Sequence, residues 1–136
     1  MSRIPVVIYD TSSILLQAKE KIPVQRQVVE LVGLHIPVVV AATLHELSKI
    51  GAYREWKTRR ASLIALELIR KRFSVYRTEP SAGSVDDVIV NVALSLSERG
   101  VPVYVATCDL GLRDALSSRG VKVLLFRESK RRFFLY

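Results

Sequence analysis

Four acidic residues lie where a predicted strand gives way to a predicted helix, at widely separated points of the chain: Asp10, Glu46, Asp87 and Asp109. In an open α/β sheet the carboxyl ends of the strands share one edge, and ligands bind there. Carboxylates gathered at that edge would repel one another, and a hard divalent cation bound through oxygen relieves such repulsion. The pattern therefore predicts an acidic cleft that binds Mg²⁺ or Mn²⁺, which both favour oxygen ligands.

Each acid also has an ordinary structural explanation, because carboxylates interact favourably with helix N-termini. Residues 43–46 fit a capping box, and residues 84–87 fit a looser version of the same motif. Asp109 could cap the helix that follows it, and Asp10 could cap a short turn that begins at Thr11. It is the shared position after strands that favours a joint site.

Hydroxyl residues accompany two of the acids. Thr11 and Ser12 follow Asp10, and Thr107 lies two residues before Asp109. Folding does not require an acid at position 10, since Thr11 or Ser12 could cap the turn. Hydroxyls beside carboxylates can orient them or hold water bound to a metal. We therefore expect Thr11, Ser12 and Thr107 to support the acidic cleft.

The elements that must position these residues can be predicted from apolar patterning. Five runs rich in valine and isoleucine predict buried strands at residues 4–9, 37–41, 74–77, 102–106 and 122–126. Helical spacing occurs between them, at residues 25–34, 44–50, 56–73, 88–97 and 110–118. Strands without polar alternation are typical of a parallel sheet covered on both faces. We predict one α/β domain over residues 1–136, with residues 133–136 as an additional edge strand.

The chain of 136 residues has a formal net charge of +8. Such a charge can serve solubility alone, or it can attract a polyanion. The basic residues are clustered rather than dispersed, and nucleic acid is the commonest partner of basic clusters. The predicted RNA contacts are Arg54, Lys57, Arg59, Arg60, Arg131 and Arg132.

Several other kinds of chemistry are disfavoured. The single cysteine, Cys108, leaves no internal disulfide and no cysteine-cluster zinc site. Six glycines are scattered along the chain and form no phosphate-binding loop. No apolar stretch reaches the roughly 20 residues that a membrane-spanning helix needs. We expect a soluble, cytoplasmic protein.

In chain order, the motifs Asp10-Thr-Ser, His45-Glu46-Leu47, Asp86-Asp87-Val88-Ile89 and Thr107-Cys-Asp109 resemble the PIN domain over essentially the whole chain. The resemblance implies a PIN-like α/β fold and a metal-dependent endoribonuclease with one or two Mg²⁺ or Mn²⁺ ions. It implies catalytic roles for Asp10, Glu46, Asp87 and Asp109, with Asp10, Asp87 and Asp109 as metal ligands and Thr107 in support.

This sequence departs from the family pattern at Ser12 and Cys108, where the family often has asparagine. Asp86 competes with Asp87 for the third acidic position. We choose Asp87 because apolar Val88 and Ile89 follow it directly, as apolar residues follow the acid in the family.

Two branches of the family compete. Residues 60–73, residues 123–127 and the basic residues 130–132 resemble nucleases of small-subunit ribosome assembly; the alternative is the toxin ribonucleases of toxin–antitoxin pairs. A non-catalytic RNA-binding scaffold is a further hypothesis. The expected partners are RNA, in the first branch a ribosomal RNA precursor, with assembly proteins or an antitoxin. A homodimer is also considered, and a membrane is not expected.

Overall fold

The fold is described from a computed structural model that covers residues 3–52, 55–78 and 83–136. The strands are β1 Val6–Tyr9, β2 Ile36–Val40, β3 Ser74–Tyr76, β4 Val103–Thr107, β5 Lys122–Arg127 and β6 Arg132–Leu135. The helices are α1 Thr11–Glu20, α2 Val24–Val32, α3 Ala41–Ile50, α4 Trp56–Arg72, α5 Val85–Glu98 and α6 Leu110–Ser117. A single 3₁₀ turn, Glu128–Lys130, joins β5 to β6.

The strands form one sheet in the order β3-β2-β1-β4-β5-β6. Strands β1 to β5 pair in parallel, and β6 is antiparallel to β5. The predicted α/β fold is confirmed, and the C-terminal segment does add an edge strand. From β1 the chain moves outward to β2 and β3, then returns to place β4 on the other side of β1. A crevice forms where the strand order reverses in this way, outside the carboxyl ends of β1 and β4.

Helices cover both faces of the sheet. Val7 and Tyr9 of β1 belong to the core formed with α1, α2, α3 and α4. Val6 and Ile8 belong to the opposite core, formed with α5 and α6. Because side chains alternate along a strand, the residue after Tyr9 points to the same side as Ile8. Asp10 is therefore directed toward α5 and α6.

Helix α1 was not predicted, since only a short turn was expected after Asp10. The three hydroxyl residues at its start have weak helix propensity, which hides the helix in the sequence. Tertiary contacts stabilise it instead: Ile14 and Leu16 are buried, and the Asp10 side chain accepts a hydrogen bond from the Thr11 backbone N–H.

The predicted capping box at residues 43–46 is wrong. Helix α3 begins at Ala41, with Val40 at its N-cap and no side-chain cap. Thr43 is consequently a buried residue in the first turn, and Glu46 lies in the middle of the helix rather than at its opening. By contrast, the looser capping box at residues 84–87 is fully formed at the start of α5.

The glycines that follow α5 and α6 terminate these helices as the sequence suggests. Gly100 and Gly120 adopt φ angles of 81° and 80°, a left-handed conformation that other residues rarely adopt. Across residues 3–52, 55–78 and 83–136, the structure contains no helix of the length and apolarity needed to cross a bilayer.

Candidate active site

Asp10 lies at the centre of the candidate site, buried at the end of β1. Its Oδ1 accepts a hydrogen bond of 2.8 Å from the Thr11 backbone N–H. Its Oδ2 accepts two hydrogen bonds of 2.8 Å, from the hydroxyls of Ser12 and Thr107. Three donors thus fix the carboxylate and leave one lone-pair direction, on Oδ1, for a further partner.

The Thr107 contact follows from the pairing of β1 with β4. Tyr9 is opposite Ala106 in the parallel register, and the Asp10 N–H donates to the Ala106 carbonyl oxygen at 2.9 Å. The next residue of β4, Thr107, therefore lies beside Asp10 and points to the same side of the sheet. The register of the two central strands delivers the hydroxyl to the carboxylate.

The same hydroxyls also bind the loop after β4. Thr107 Oγ1 accepts from the Asp109 N–H at 3.0 Å, and Ser12 Oγ accepts from the Cys108 N–H at 3.1 Å. Thr11 differs, because its hydroxyl is directed to Thr43 Oγ1 at 3.4 Å and only its backbone contacts Asp10. Ser12 and Thr107 are therefore placed to support the acid at position 10 through their side chains.

The structure brings Asp86, rather than Asp87, to the other acids. Asp86 is half-buried and shares a helix face with Ile89 and Ala93, three and seven residues later, which are fully buried. Asp87 is exposed, and its carboxylate accepts from the Ser84 N–H at 3.2 Å within the capping box. The orientation we expected for Asp87 is therefore corrected, since this carboxylate caps α5.

The burial pattern along α5, which only the structure gives, identifies Asp86 as the inward-facing acid. Buried positions in α5 are Val88, Ile89, Val92, Ala93 and Leu96. The spacing of three and seven residues extends the Ile89–Ala93 stripe back to Asp86, whereas the same steps from Asp87 reach half-buried Val90 and half-buried Leu94.

Glu46 and Asp109 border the site from two other elements. Glu46 is half-buried on α3. Asp109 is exposed at the N-cap of α6, where its Oδ1 accepts from the backbone N–H groups of Gly111 at 2.7 Å and Leu112 at 3.4 Å. The predicted capping role of Asp109 is thus present, and its negative charge remains close enough to act on Asp86.

Electrostatic repulsion links the acids. Burial raises the pKa of Asp10 above its ordinary value, the hydrogen bonds from Thr107, Ser12 and Thr11 oppose that rise, and the charge of Glu46 adds to it. Burial also raises the pKa of Asp86, and the charges of Asp10, Asp109, Glu46 and Asp87 raise it further. Asp10 and Asp86 are therefore harder to ionise because of the charges around them.

A divalent cation suits the chemistry of these donors. The acids and hydroxyls offer only oxygen, which Mg²⁺ and Mn²⁺ favour, and a cation would relieve the repulsion between the carboxylates. In the three described ranges, however, no group of three acidic, histidine or cysteine side chains is already close enough together to hold a metal ion. Because hydrogen bonds fix Asp10, the other carboxylates would have to move toward it to form a complete set of ligands.

Two other reactive residue types do not contribute a nucleophile. Burial raises the pKa of the Cys108 thiol to about 11, so the thiol stays protonated at neutral pH. His35 is held by hydrogen bonds to the Tyr9 hydroxyl at 2.9 Å and to the Gly33 carbonyl oxygen at 3.0 Å. His45 is exposed on α3.

The predicted RNA-contact residues have different surroundings. Lys57, Arg59 and Arg60 are exposed on the first turns of α4. Arg131 forms ion pairs with Glu20 at 2.9 Å and Glu128 at 3.0 Å, and Arg132 forms one with Glu30 at 2.9 Å. Arg54 lies outside the described residues. The charge of the C-terminal pair is thus partly offset by neighbouring glutamates.

The strand order and the acids at the β1–β4 crevice define an α/β domain with an acidic site at the sheet edge. The family model described as "PIN like domain" matches residues 7–129, and the chain belongs to this family. Among curated proteins, no sequence matches the chain significantly.

Solved structures show the same fold. The chain is similar to the PIN domain endonuclease Utp24, with a TM-score of 0.73 and 22% identity over 95% of this chain and 89% of the other. It is also similar to a domain of a functionally unknown protein from Methanocaldococcus jannaschii DSM 2661, with a TM-score of 0.52 and 15% identity over 90% of this chain and 91% of that one.

A third similarity is to a mutant of the T5 5′-exonuclease, with a TM-score of 0.58 and 16% identity. The alignment covers 97% of this chain but only 53% of the exonuclease chain. At these identities the likenesses establish the fold, while the chemistry has to be argued from the residues of this chain.

Proposed function

We propose that the protein is an endoribonuclease that hydrolyses RNA phosphodiester bonds with the aid of Mg²⁺ or Mn²⁺. The observation that carries the proposal is the pair of Asp10 and Asp86, a buried and a half-buried acid at the β1–β4 crevice. Their negative charges repel each other. PIN nucleases generally use divalent metals, and the acidic donors here suit that chemistry.

The acidic and the hydroxyl residues of the site have different roles in this proposal. Asp10 and Asp86 would hold the cation directly, while Asp109 and Glu46 would hold it from the rim or orient its water. When bound, the cation would supply water activation and neutralise charge on the phosphate. Ser12 and Thr107 keep Asp10 fixed and favour its ionised form, because they donate to its carboxylate.

Three observations favour RNA as the substrate, internal cleavage as the reaction and ribosome assembly as the role. The net charge of +8 and the exposed cations of α4 favour RNA as the polyanion. The fold shared with an enzyme described as a PIN domain endonuclease supports internal cleavage. The sequence resemblance at residues 60–73 and 123–132 favours processing of ribosomal RNA and ribosome assembly over a toxin role.

A cleavage assay on circular RNA tests the proposal, since a circle has no end for an exonuclease. We expect linear products with Mg²⁺ or Mn²⁺, no products with a chelator, and no products from Asp10→Asn. Asp114→Asn is a matched control, because this exposed aspartate on α6 pairs with Arg113. Equal cleavage by wild type and Asp10→Asn would remove the catalytic assignment.

The same material separates the alternatives. A scaffold would bind RNA but cleave neither the circle nor a linear substrate under any cation condition. A toxin would arrest growth when expressed, and Asp10→Asn would abolish that arrest. Cleavage of ribosomal RNA precursors without growth arrest would favour the ribosome-assembly role.

A further inference from the structure

A second candidate surface lies away from the acidic crevice, between the end of α1 and the start of α4. It is a groove of about 330 Å³. From α1 and its C-cap it is lined by Lys19 and Lys21, and from α4 by Trp56, Lys57, Arg60 and Ile64. We call it the Trp56 groove.

Trp56 is the only tryptophan of the chain, and 59% of its surface is exposed. Tryptophan is enriched at binding interfaces, because its ring is apolar while its N–H can form a hydrogen bond. The Arg60 guanidinium lies over the ring, with Cζ 5.3 Å from the ring centroid. This cation–π contact helps to hold the indole in one orientation, so the ring offers a prepared flat surface.

The charge of the groove specifies an anionic occupant. Lys19, Lys21, Lys57 and Arg60 converge on it. In the part of the chain that the structure describes, none of these four cations forms an ion pair, in contrast to Arg131 and Arg132. An acidic peptide would match the charge but has no planar base for the indole. A single nucleic-acid strand matches both the cations and the aromatic ring.

The groove lies where a nucleic-acid strand that reaches the acidic crevice could pass. Asp10 lies at the N-terminal end of α1 and Lys19 close to its C-terminal end, so helix rise separates the two ends by about 14 Å. Lys19 also borders a neighbouring groove that reaches Ser12 and Cys108 beside Asp10. The two grooves therefore meet at Lys19, and the one nearer Asp10 is also lined by Glu20 and Glu128.

We infer that the Trp56 groove is a secondary binding site for single-stranded RNA, in which an unpaired base stacks on Trp56 and Lys19, Lys21, Lys57 and Arg60 contact phosphates. The inference rests on the proposed function, because it takes RNA to be the substrate held at the crevice. It adds a site that selects single strands, several nucleotides away from the acids.

Binding is measured without divalent cations, so that cleavage does not interfere. Fluorescence anisotropy with a labelled single-stranded RNA and with a duplex reports affinity, and quenching of Trp56 emission reports stacking directly. Since stacking contributes about 1–3 kcal/mol per base, Trp56→Ala should weaken single-strand binding about 5- to 150-fold, and Trp56→Phe should recover part of it. Duplex binding should change little.

Matched controls on the same helix isolate the groove. Leu63 is 65% exposed and does not line it, so Leu63→Ala should leave binding unchanged. Arg60→Ala should weaken binding more than Arg59→Ala, although the two remove the same charge from neighbouring positions. Equal losses from both would show a diffuse basic surface and overturn the groove.

The outcomes also separate this inference from the proposed function. Quenching by RNA together with no cleavage of any substrate would support the groove and reject the nuclease. Cleavage together with unchanged single-strand affinity in Trp56→Ala would reject the groove and leave the nuclease standing. If poly-glutamate quenches Trp56 emission and competes with RNA equally well, the groove would be assigned to an acidic protein partner. That result would overturn the RNA site.

Discussion

The adjacent acids at the start of α5 allow a sharp test, because a single step along the helix separates two different roles. Asp86 faces Asp10, Glu46 and Asp109, and Asp87 caps the helix through the Ser84 N–H. Both lie in the first turn, so replacing either by asparagine removes a similar interaction with the helix macrodipole. The difference between Asp86→Asn and Asp87→Asn therefore isolates what each carboxylate does beyond the dipole.

The expected difference in free energy of unfolding is about 1 kcal/mol in favour of Asp86→Asn, measured at neutral pH without metal. About half comes from relieved repulsion, discounted because Asp86 is only half-buried. The other half comes from a weakened bond to the Ser84 N–H in Asp87→Asn, which loses its charge assistance. With a urea slope of roughly 2 kcal/mol/M, the two midpoints should differ by about 0.5 M.

The sign of the pH dependence follows from the raised pKa of Asp86. A carboxylate whose pKa rises on folding stabilises the folded state below its ordinary pKa of 3.8, and that contribution is lost as the pH rises through the folded value. In Asp87→Asn, acid therefore removes the repulsion. The gap between the two variants should therefore narrow as the pH falls through the folded pKa of Asp86.

Cleavage gives an independent readout of the same pair. Asp86→Asn should abolish it, and Asp87→Asn should retain most of it once the protein is folded. If Asp86→Asn cleaves normally while a well-folded Asp87→Asn is inactive, the assignment is refuted. Equal urea midpoints for the two variants at neutral pH would also refute it.

Three further results are expected. Thr107→Val removes the donor to Asp10 and the acceptor for the Asp109 N–H, so urea denaturation should show a loss of about 1.5–3 kcal/mol that Thr107→Ser largely restores. Mn²⁺ at 100 times its dissociation constant should stabilise the wild type by about 2.7 kcal/mol in thermal unfolding, and Asp10→Asn should lose this gain. Lys57→Gln should reduce by about 0.7 the steepness of the log–log plot of single-strand RNA affinity against salt concentration. Arg132→Gln should change this slope less, because Arg132 is already paired with Glu30.

Much of the central sheet could be predicted because its signal is local. The valine-rich runs identify β1, β2, β4 and β5 to within about two residues, since a strand buried on both faces needs no polar alternation. The hydrogen bond between Thr107 and Asp10 follows only when β4 is known to lie beside β1. That neighbour relation depends on the direction of the crossovers, which residue types do not specify.

The start of α1 shows where local reasoning fails. Thr11, Ser12 and Ser13 form hydroxyl contacts with residues outside the helix or at its cap, and these favour the observed turn over the alternatives available to such residues. The contact of Thr11 with Thr43 joins positions 32 residues apart. Helix propensities predict no helix at these residues, because they do not take tertiary contacts into account.

The orientation expected for Asp87 was wrong for a geometric reason. Consecutive residues on a helix point about 100° apart, so the rotation of α5 against the sheet decides which carboxylate reaches the crevice. Val88 and Ile89 are both buried, and two adjacent buried residues leave that rotation undefined. Only the longer stripe through Ile89 and Ala93 defines it.

The distribution of charge couples the cation to the substrate. A molecule with a net charge of +8 should attract a polyanion such as RNA, yet the crevice that would cleave it presents acids that repel phosphate. A cation at Asp10 and Asp86 would invert the local potential, so cation and phosphate should each strengthen the binding of the other at the crevice. Without cation, RNA should be held by the basic surface alone and kept from the acids. Affinity for RNA and competence to cleave it would then be separate properties of separate surfaces.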